Sequence, residues 1–210
     1  MLGDQQVAGL LASRICHDLV SPVGALENGT DLIREIGNGD VRDEVMMIGQ
    51  SAARASALLQ FYRVAFGSTP NDEAVLSESE IRRNADRMIA TDKIFLEWRQ
   101  PAGQPMTRPR AQLFYLLLMC GRAVLGMRGS LDVDVSTTGR ITVTVQPEGL
   151  TPSSPGQVNQ ELLSHLENKP EPDCLTPRLV EFALVHKSAE DARARIMVER
   201  QVDGVEIVAA

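Results

Sequence analysis

Apolar positions in the first third of the chain recur every three or four residues. At 100° per residue, Leu11, Ile15, Leu19, Leu26 and Ile33 gather within ~40° of one direction, predicting a helix from about residue 4 to Ile36 with one narrow buried seam. Gly37-Asn38-Gly39 ends it, since these residue types enter positive φ cheaply, and Asp40 is a candidate N-cap for a second helix. Along that helix Val45, Ile48, Ala52, Ala55, Leu59, Tyr62 and Phe66 alternate spacings of three and four, a heptad-like seam that fades near Gly67-Ser68-Thr69-Pro70. Two helices of about 25–30 residues joined by a tight turn predict an antiparallel hairpin ~40 Å long. A lone hairpin cannot cover both seams. Pairing two hairpins into a dimeric four-helix bundle is the economical solution, and packing the seam on the chain's own C-terminal half is the alternative.

From Pro70-Asn71-Asp72-Glu73 the texture changes, placing a boundary between a unit over residues 1–69 and another over 70–210. Ser77-x-x-Glu80 reads as a capping box opening a helix to about Ala90, and Ile94 to Trp98 as a strand. The run Leu113 to Met119, within a helix expected over about 110–125, is apolar on all sides and predicts deep burial. Ser130 to Ser136 and Arg140 to Gln146 form a hairpin about Thr137-Thr138-Gly139, and residues 147–156 read as loop. A short helix over 158–167, a longer one over 177–191, and a closing hairpin about Asp203-Gly204 complete the chain. The pattern predicts an α+β fold, a helical hairpin followed by a two-layer α/β sandwich.

The 210 residues suffice for one large domain or two small ones. The net charge of −7 argues against a non-specific nucleic-acid binder, which needs a basic face. No run approaches the ~20 apolar residues of a membrane span and no basic-then-apolar leader opens the chain, so a soluble cytoplasmic protein is expected. Cys16, Cys120 and Cys174 are scattered and odd in number, which predicts neither a zinc site nor a disulfide framework and suggests buried thiols.

Candidate chemistry sits on the first helix. His17 points about 200° from Ile15, away from the seam, in company with Ser13, Gly24, Asn28 and Asp31. The histidine is presented rather than packed. Pro22 lacks an N–H and crowds the carbonyl of Asp18, so a bend is expected just after the histidine.

The stretch His17-Asp18-Leu19-Val20-Ser21-Pro22-Val23 places an acid, a leucine, a hydroxyl and a proline as the H-box of sensor histidine kinases does. With its flanks, Ser13-Arg14-Ile15-Cys16 before and Gly24-Ala25-Leu26-Glu27-Asn28-Gly29 after, it resembles more specifically the ChpT-type histidine phosphotransferases. The second unit resembles the ATP-binding domain of histidine kinases, but Met119-Cys120-Gly121-Arg122-Ala123 stands where an Asn-rich Mg²⁺-ligating box belongs. Gln146-Pro147-Glu148-Gly149-Leu150 stands where Asp-x-Gly-x-Gly holds adenine. Without these groups ATP hydrolysis lacks its positioning residues, so neither nucleotide nor metal is expected to bind.

The resemblance implies a phosphoryl relay through His17 between receiver-domain aspartates, with Mg²⁺ brought by the receiver. The partners it implies are the receiver of a CckA-like hybrid kinase and response regulators such as CtrA and CpdR. Asp18 is the candidate to orient the ring, Arg14 to offset phosphate charge, and Ser21 to bond the phosphoryl group. Each has a plainer role open to it: a solvated helix charge for Asp18, an i,i+4 partner of Asp18 for Arg14. Hairpin symmetry places His17 level with residue ~60, so the expected docking rim is Gln60, Phe61 and Arg63, extended by Val20, Gly24 and Asn28. His165 and His186 lack such a context and are expected on helix surfaces. An ATP-binding histidine kinase and a non-catalytic dimeric adaptor of receiver domains are the competing readings.

Overall fold

In a computed structural model the chain is described over residues 3–37, 39–67, 74–99, 105–149 and 156–210. Helix α1 spans Asp4–Ile36 and continues without interruption through Pro22, while α2 spans Arg42–Ala65. The two pack along their length as an antiparallel hairpin. At Gly29 they come so close that an added Cβ would lie 2.6 Å from Ile48 Cγ1, so only glycine permits this approach. Asp40 does not occupy the N-cap, which falls on Val41; instead its Oδ1 accepts from the backbone N–H of Arg42 at 3.2 Å and its carboxylate pairs with the same arginine's side chain. A carboxylate two residues before a free N–H still satisfies one orphan donor, so the helix start is stabilised in a shifted register.

The remaining elements are β1 (Val75–Leu76), α3 (Glu78–Ile89), β2 (Ile94–Trp98), β3 (Met106–Thr107), α4 (Arg108–Leu125), β4 (Gly129–Val135), β5 (Ile141–Pro147), α5 (Gln160–Glu167), α6 (Val180–Asp191), β6 (Ile196–Gln201) and β7 (Gly204–Ala209). Five strands form one sheet in the order β2-β4-β5-β7-β6, parallel only between β2 and β4. A short antiparallel pair, β1 with β3, is too brief to leave a pattern in the sequence. Ser77 caps α3 by accepting from the Glu80 N–H at 3.3 Å.

One sheet face carries Leu131, Val133, Ile141, Val143, Val145, Val205 and Ile207, all buried beneath the helices. The alternating positions Ser130, Asp132, Asp134, Thr142 and Gln146 on the other face are polar, so the sandwich has two layers as the pattern predicts. Helix α4 lies between the sheet and the other helices, which explains its unbroken apolar run: Leu113 to Met119 are each at most 4% exposed. Each such side chain contributes about 1.5–3 kcal/mol by leaving water.

The same core extends into the hairpin. Leu58, Phe61, Tyr62, Val64 and Ala65 of α2 join it, with Phe61 stacked on Tyr115 at 4.4 Å between ring centroids. Polar contacts fasten this junction. Gln112 Nε2 donates to the Ala65 carbonyl at 3.1 Å, and Arg108 donates to the carbonyls of Arg63 and Gly67 at 2.8 and 3.2 Å. The end of the α2 seam is therefore covered by the chain's own second half, the alternative to pairing hairpins. Its remainder is not covered in this way: Val45 and Leu59 are more than half exposed. The expected linker at 70–73 lies outside the described residues.

Two local expectations are corrected. Cys16 and Cys174 are exposed, and only Cys120 is a buried thiol. His165 and His186 are half-buried between α5 and α6: His186 Nε2 lies 2.9 Å from the His165 carbonyl, and the His165 ring packs edge-on against Phe182. Buried Leu163 and Leu166 flank His165 on α5, and buried Phe182, Val185 and Ala189 surround His186 on α6, which draws the rings into the contact.

Candidate functional site

His17 lies mid-way along α1 with its side chain 68% exposed. The ring borders a cleft of about 690 Å³ between the hairpin and the second unit. Arg14, Asp18 and Ser21 line this cleft from α1, Ser51 and Arg54 from α2, and Arg122 from α4.

Next to the ring the contacts are definite. Asp18 Oδ1 lies 3.0 Å from His17 Nδ1. A carboxylate only accepts, so this contact puts the proton on Nδ1 and leaves the lone pair on Nε2. The other carboxylate oxygen, Oδ2, accepts the phenolic hydrogen of Tyr62 from across the hairpin. It also pairs with Arg14 Nε at 3.2 Å. Asp18 is thus gripped by groups from both helices.

Arg14 in turn reaches the second unit, where its Nη2 lies 3.5 Å from Glu181 Oε1 on α6. Glu181 is 1% exposed. Burial pushes its carboxyl up to about 7, and the nearby Arg14 charge offsets only part of that effect. Burial works against the Arg14 charge, but Glu181 and Asp18 outweigh it and hold the guanidinium above its ordinary range. Tyr62 is held well above the usual phenol range by burial, then by its bond to the Asp18 carboxylate and by that group's charge.

Two arginines, distant from His17 in sequence, stand on the far wall of the cleft. Arg54 donates to the carbonyls of Arg87 and Met88 at 2.7 and 3.1 Å, and Arg122 to that of Gly126 at 2.5 Å. Burial, then the Arg54 charge, lowers the Arg122 guanidinium below its ordinary value. Positive charge therefore converges on a concave surface beside the histidine, favouring an anionic visitor.

The residues expected to form the docking face separate into three groups. Val20, Ser21 and Asn28 are exposed on α1, and Gly24 is open, with no atom within 4 Å of where a Cβ would stand. On α2, Arg63 is exposed and Gln60 half-buried, its Nε2 3.4 Å from Ser56 Oγ, but neither lines the cleft. Phe61 is corrected outright: it is fully buried against Tyr115 and presents nothing to a partner. Its neighbours in space come from α4, which hairpin symmetry alone does not include. Tyr62 and Glu181, which contact Asp18 and Arg14, lie outside the motif around His17. A tyrosine in an otherwise apolar seam carries a hydroxyl needing a partner, and Glu181 shares a helix face with the buried Val185 and Ser188. Both signals were present in the sequence.

Among the described residues, no group of three or more His, Cys, Asp or Glu side chains is arranged to hold a metal ion. No helix among them is long and apolar enough to cross a membrane.

The second half of the chain, residues 78–204, matches the family model of the histidine phosphotransferase C-terminal domain. Protein phosphotransferase ChpT of Brucella abortus (strain 2308) is 33% identical over 143 residues, 67% of each protein. The chain belongs to the ChpT-type histidine phosphotransferases. Its fold matches a solved bacterial phosphotransferase with a TM-score of 0.77 and 25% identity, over 100% of this chain and 98% of the other. Membership fixes the class of activity: this is a phosphotransferase of a histidine phosphorelay, and at the level of the family its partners are receiver domains.

Proposed function

We propose that His17 is the phosphoryl acceptor and donor of the relay, reacting through Nε2. The observation that carries this reading is an imidazole 68% exposed whose other nitrogen sits 3.0 Å from a carboxylate. In the forward step the Nε2 lone pair attacks the phosphorus of a receiver's aspartyl phosphate. An N–P bond forms, the acyl P–O bond breaks, and the receiver's aspartate leaves as a carboxylate. The phosphorylated ring keeps its Nδ1 proton and gains positive charge, which the Asp18 carboxylate opposes. Transfer to a second receiver runs these bond changes in reverse. Ser21, one turn along the helix, is the candidate hydroxyl for the phosphoryl oxygens, and Arg14 serves mainly to fix Asp18.

The receivers of a CckA-like hybrid kinase and of CtrA-like and CpdR-like regulators are the proposed partners, meeting His17 in the cytoplasm. Val20, Gly24 and Asn28 extend the face they cover. Mg²⁺ comes with the receiver, and the protein does not use ATP. Cys120 faces the core and Arg122 is engaged with Gly126, so the segment in place of a kinase's metal-ligating box offers no carboxamide or carboxylate.

We also propose a homodimer. Val45, Ala52 and Leu59 are exposed at seven-residue spacing on α2, forming a stripe that a second hairpin fits. Incubation with a phosphorylated receiver is expected to label the protein within the mixing time, while ATP alone leaves it unlabelled. Label acquired from ATP contradicts the reading and favours a kinase.

A further inference from the structure

We propose that Glu181, on α6 of the second unit, is a positioning residue for phosphoryl transfer at His17. It holds Arg14, which holds Asp18, which holds the ring. The inference rests on the reading of His17 as acceptor and assigns to the second unit a task within the reaction.

The geometry is a continuous chain of charged contacts from the core to the nucleophile. Glu181 Oε1 lies 3.5 Å from Arg14 Nη2, Arg14 Nε lies 3.2 Å from Asp18 Oδ2, and Asp18 Oδ1 lies 3.0 Å from His17 Nδ1. Glu181 is 1% exposed, Arg14 and Asp18 are 21% and 19% exposed, and His17 is 68% exposed. One end is therefore fixed in packed protein while the other meets the partner. Glu181 Oε2 and Arg14 Nε are both buried without a hydrogen-bond partner, so the links through Arg14 are ion pairs, and Arg14 is the cation available to offset the Glu181 charge. An isolated buried carboxylate costs free energy that a merely structural position would avoid by carrying an apolar residue.

The groups acting on Glu181 come from every side. Arg14 and Asp18 act from α1 and Tyr62 from α2; on α4, Cys120 feels its charge. From α5 the titratable side chain against α6 is His165, packed on the neighbouring Phe182. Arg14 is the one cation in this set. When Glu181 is neutral, Arg14 keeps a single carboxylate partner, and Asp18 loses the brace behind it. Glu181 changes charge near pH 7, so the brace strengthens as pH rises.

The test uses full-length protein and potassium phosphoramidate, a small donor that phosphorylates histidine with loss of ammonia and removes receiver docking from the measurement. His17 labelling is followed by mass spectrometry in wild type, Glu181→Gln, Arg14→Gln, the double variant and His17→Ala. We expect Glu181→Gln to be about tenfold slower than wild type at pH 8 and within twofold at pH 6. Arg14→Gln is expected to be as slow, and the double variant no slower than the slower single, because both substitutions break one chain. A Glu181→Gln rate equal to wild type, a ratio independent of pH, or additive single effects each overturn the proposal. If Glu181→Gln fails to fold by circular dichroism, Arg14→Gln decides from the accessible side: wild-type labelling there overturns the proposal and the pH-dependent loss supports it. Unabated labelling of His17→Ala overturns the acceptor reading, whereas an unlabelled His17→Ala beside a wild-type-like Glu181→Gln overturns the positioning role alone.

Discussion

Tyr62 on α2 donates its phenolic hydrogen to Asp18 on α1, joining the two arms of the hairpin at the level of the histidine. The bond is part-buried and ends on a charged acceptor, the circumstance in which a single hydrogen bond contributes most. Tyr62→Phe keeps the ring stacked on Phe66, at 5.0 Å between centroids, and removes only the hydroxyl. It is expected to cost about 1.5–3 kcal/mol in urea unfolding and to slow His17 phosphorylation several-fold. A variant as stable and as fast as wild type shows that the bond does not form in solution.

The dimer can be separated from the fold through Leu59. This side chain is 53% exposed in the single chain, so Leu59→Glu disturbs little within one hairpin. Buried in a second hairpin, the same carboxylate costs several kcal/mol. Sedimentation is expected to show wild type as a dimer at micromolar concentration and Leu59→Glu as a folded monomer. A monomeric wild type removes the four-helix bundle. Leu11 is the poorer choice, because it is already half-buried within the chain.

The partner's footprint is tested at Val20 and Gly24. Val20 is 69% exposed, and the position over Gly24 is free of protein atoms, so Val20→Glu and Gly24→Arg leave the fold unstrained. Both are expected to weaken receiver binding at least tenfold in titration calorimetry with dimerisation unchanged, because each places charge or bulk on an approach one to two turns from His17. Charge reversal at Asp31, already paired with Arg34 at 2.8 Å, is expected to change affinity by less than twofold. Wild-type affinity in both variants rules out this face.

Glu181 also makes a prediction about stability. Its carboxyl titrates near 7 when folded and near 4.5 when unfolded, so the folded state binds the extra proton between those values. Stability from this group is then fully present below about pH 4.5 and falls as pH rises through about 7, by on the order of 3 kcal/mol. Other carboxylates act in the opposite sense when they are paired, so the useful quantity is the difference between wild type and Glu181→Gln. That difference is expected to shift against wild type from pH 5 to pH 8 in urea unfolding. A constant difference contradicts a buried, proton-binding Glu181.

The hairpin and the sandwich were legible because their signals are periodic. The Leu11-to-Ile33 stripe, the heptads of α2 and the alternation in β4 and β5 each repeat often enough to name an element. The H-box around His17 was legible because its spacing is specific. What the pattern could not convey was contact between distant elements. Phe61 looked like a rim residue because hairpin geometry places it level with His17, yet α4 brings Tyr115 over it. Glu181 lies near the far end of the chain from His17 and meets Arg14 only after α6 packs beside α1. Arg54 and Arg122 converge for the same reason. Such long-range pairings depend on how whole layers dock, which no local periodicity records.

His17 is the proposed phosphoryl acceptor. The most direct measurement is transfer of label from a phosphorylated receiver domain to wild type and to His17→Ala, with the modified residue located by mass spectrometry under conditions that preserve phosphohistidine. Because the ring is exposed, His17→Ala is expected to fold, to dimerise as wild type does and to bind the receiver, yet to accept no label. His165→Ala and His186→Ala are expected to accept label normally. Label retained by His17→Ala, or located on His165 or His186 in wild type, contradicts the central claim.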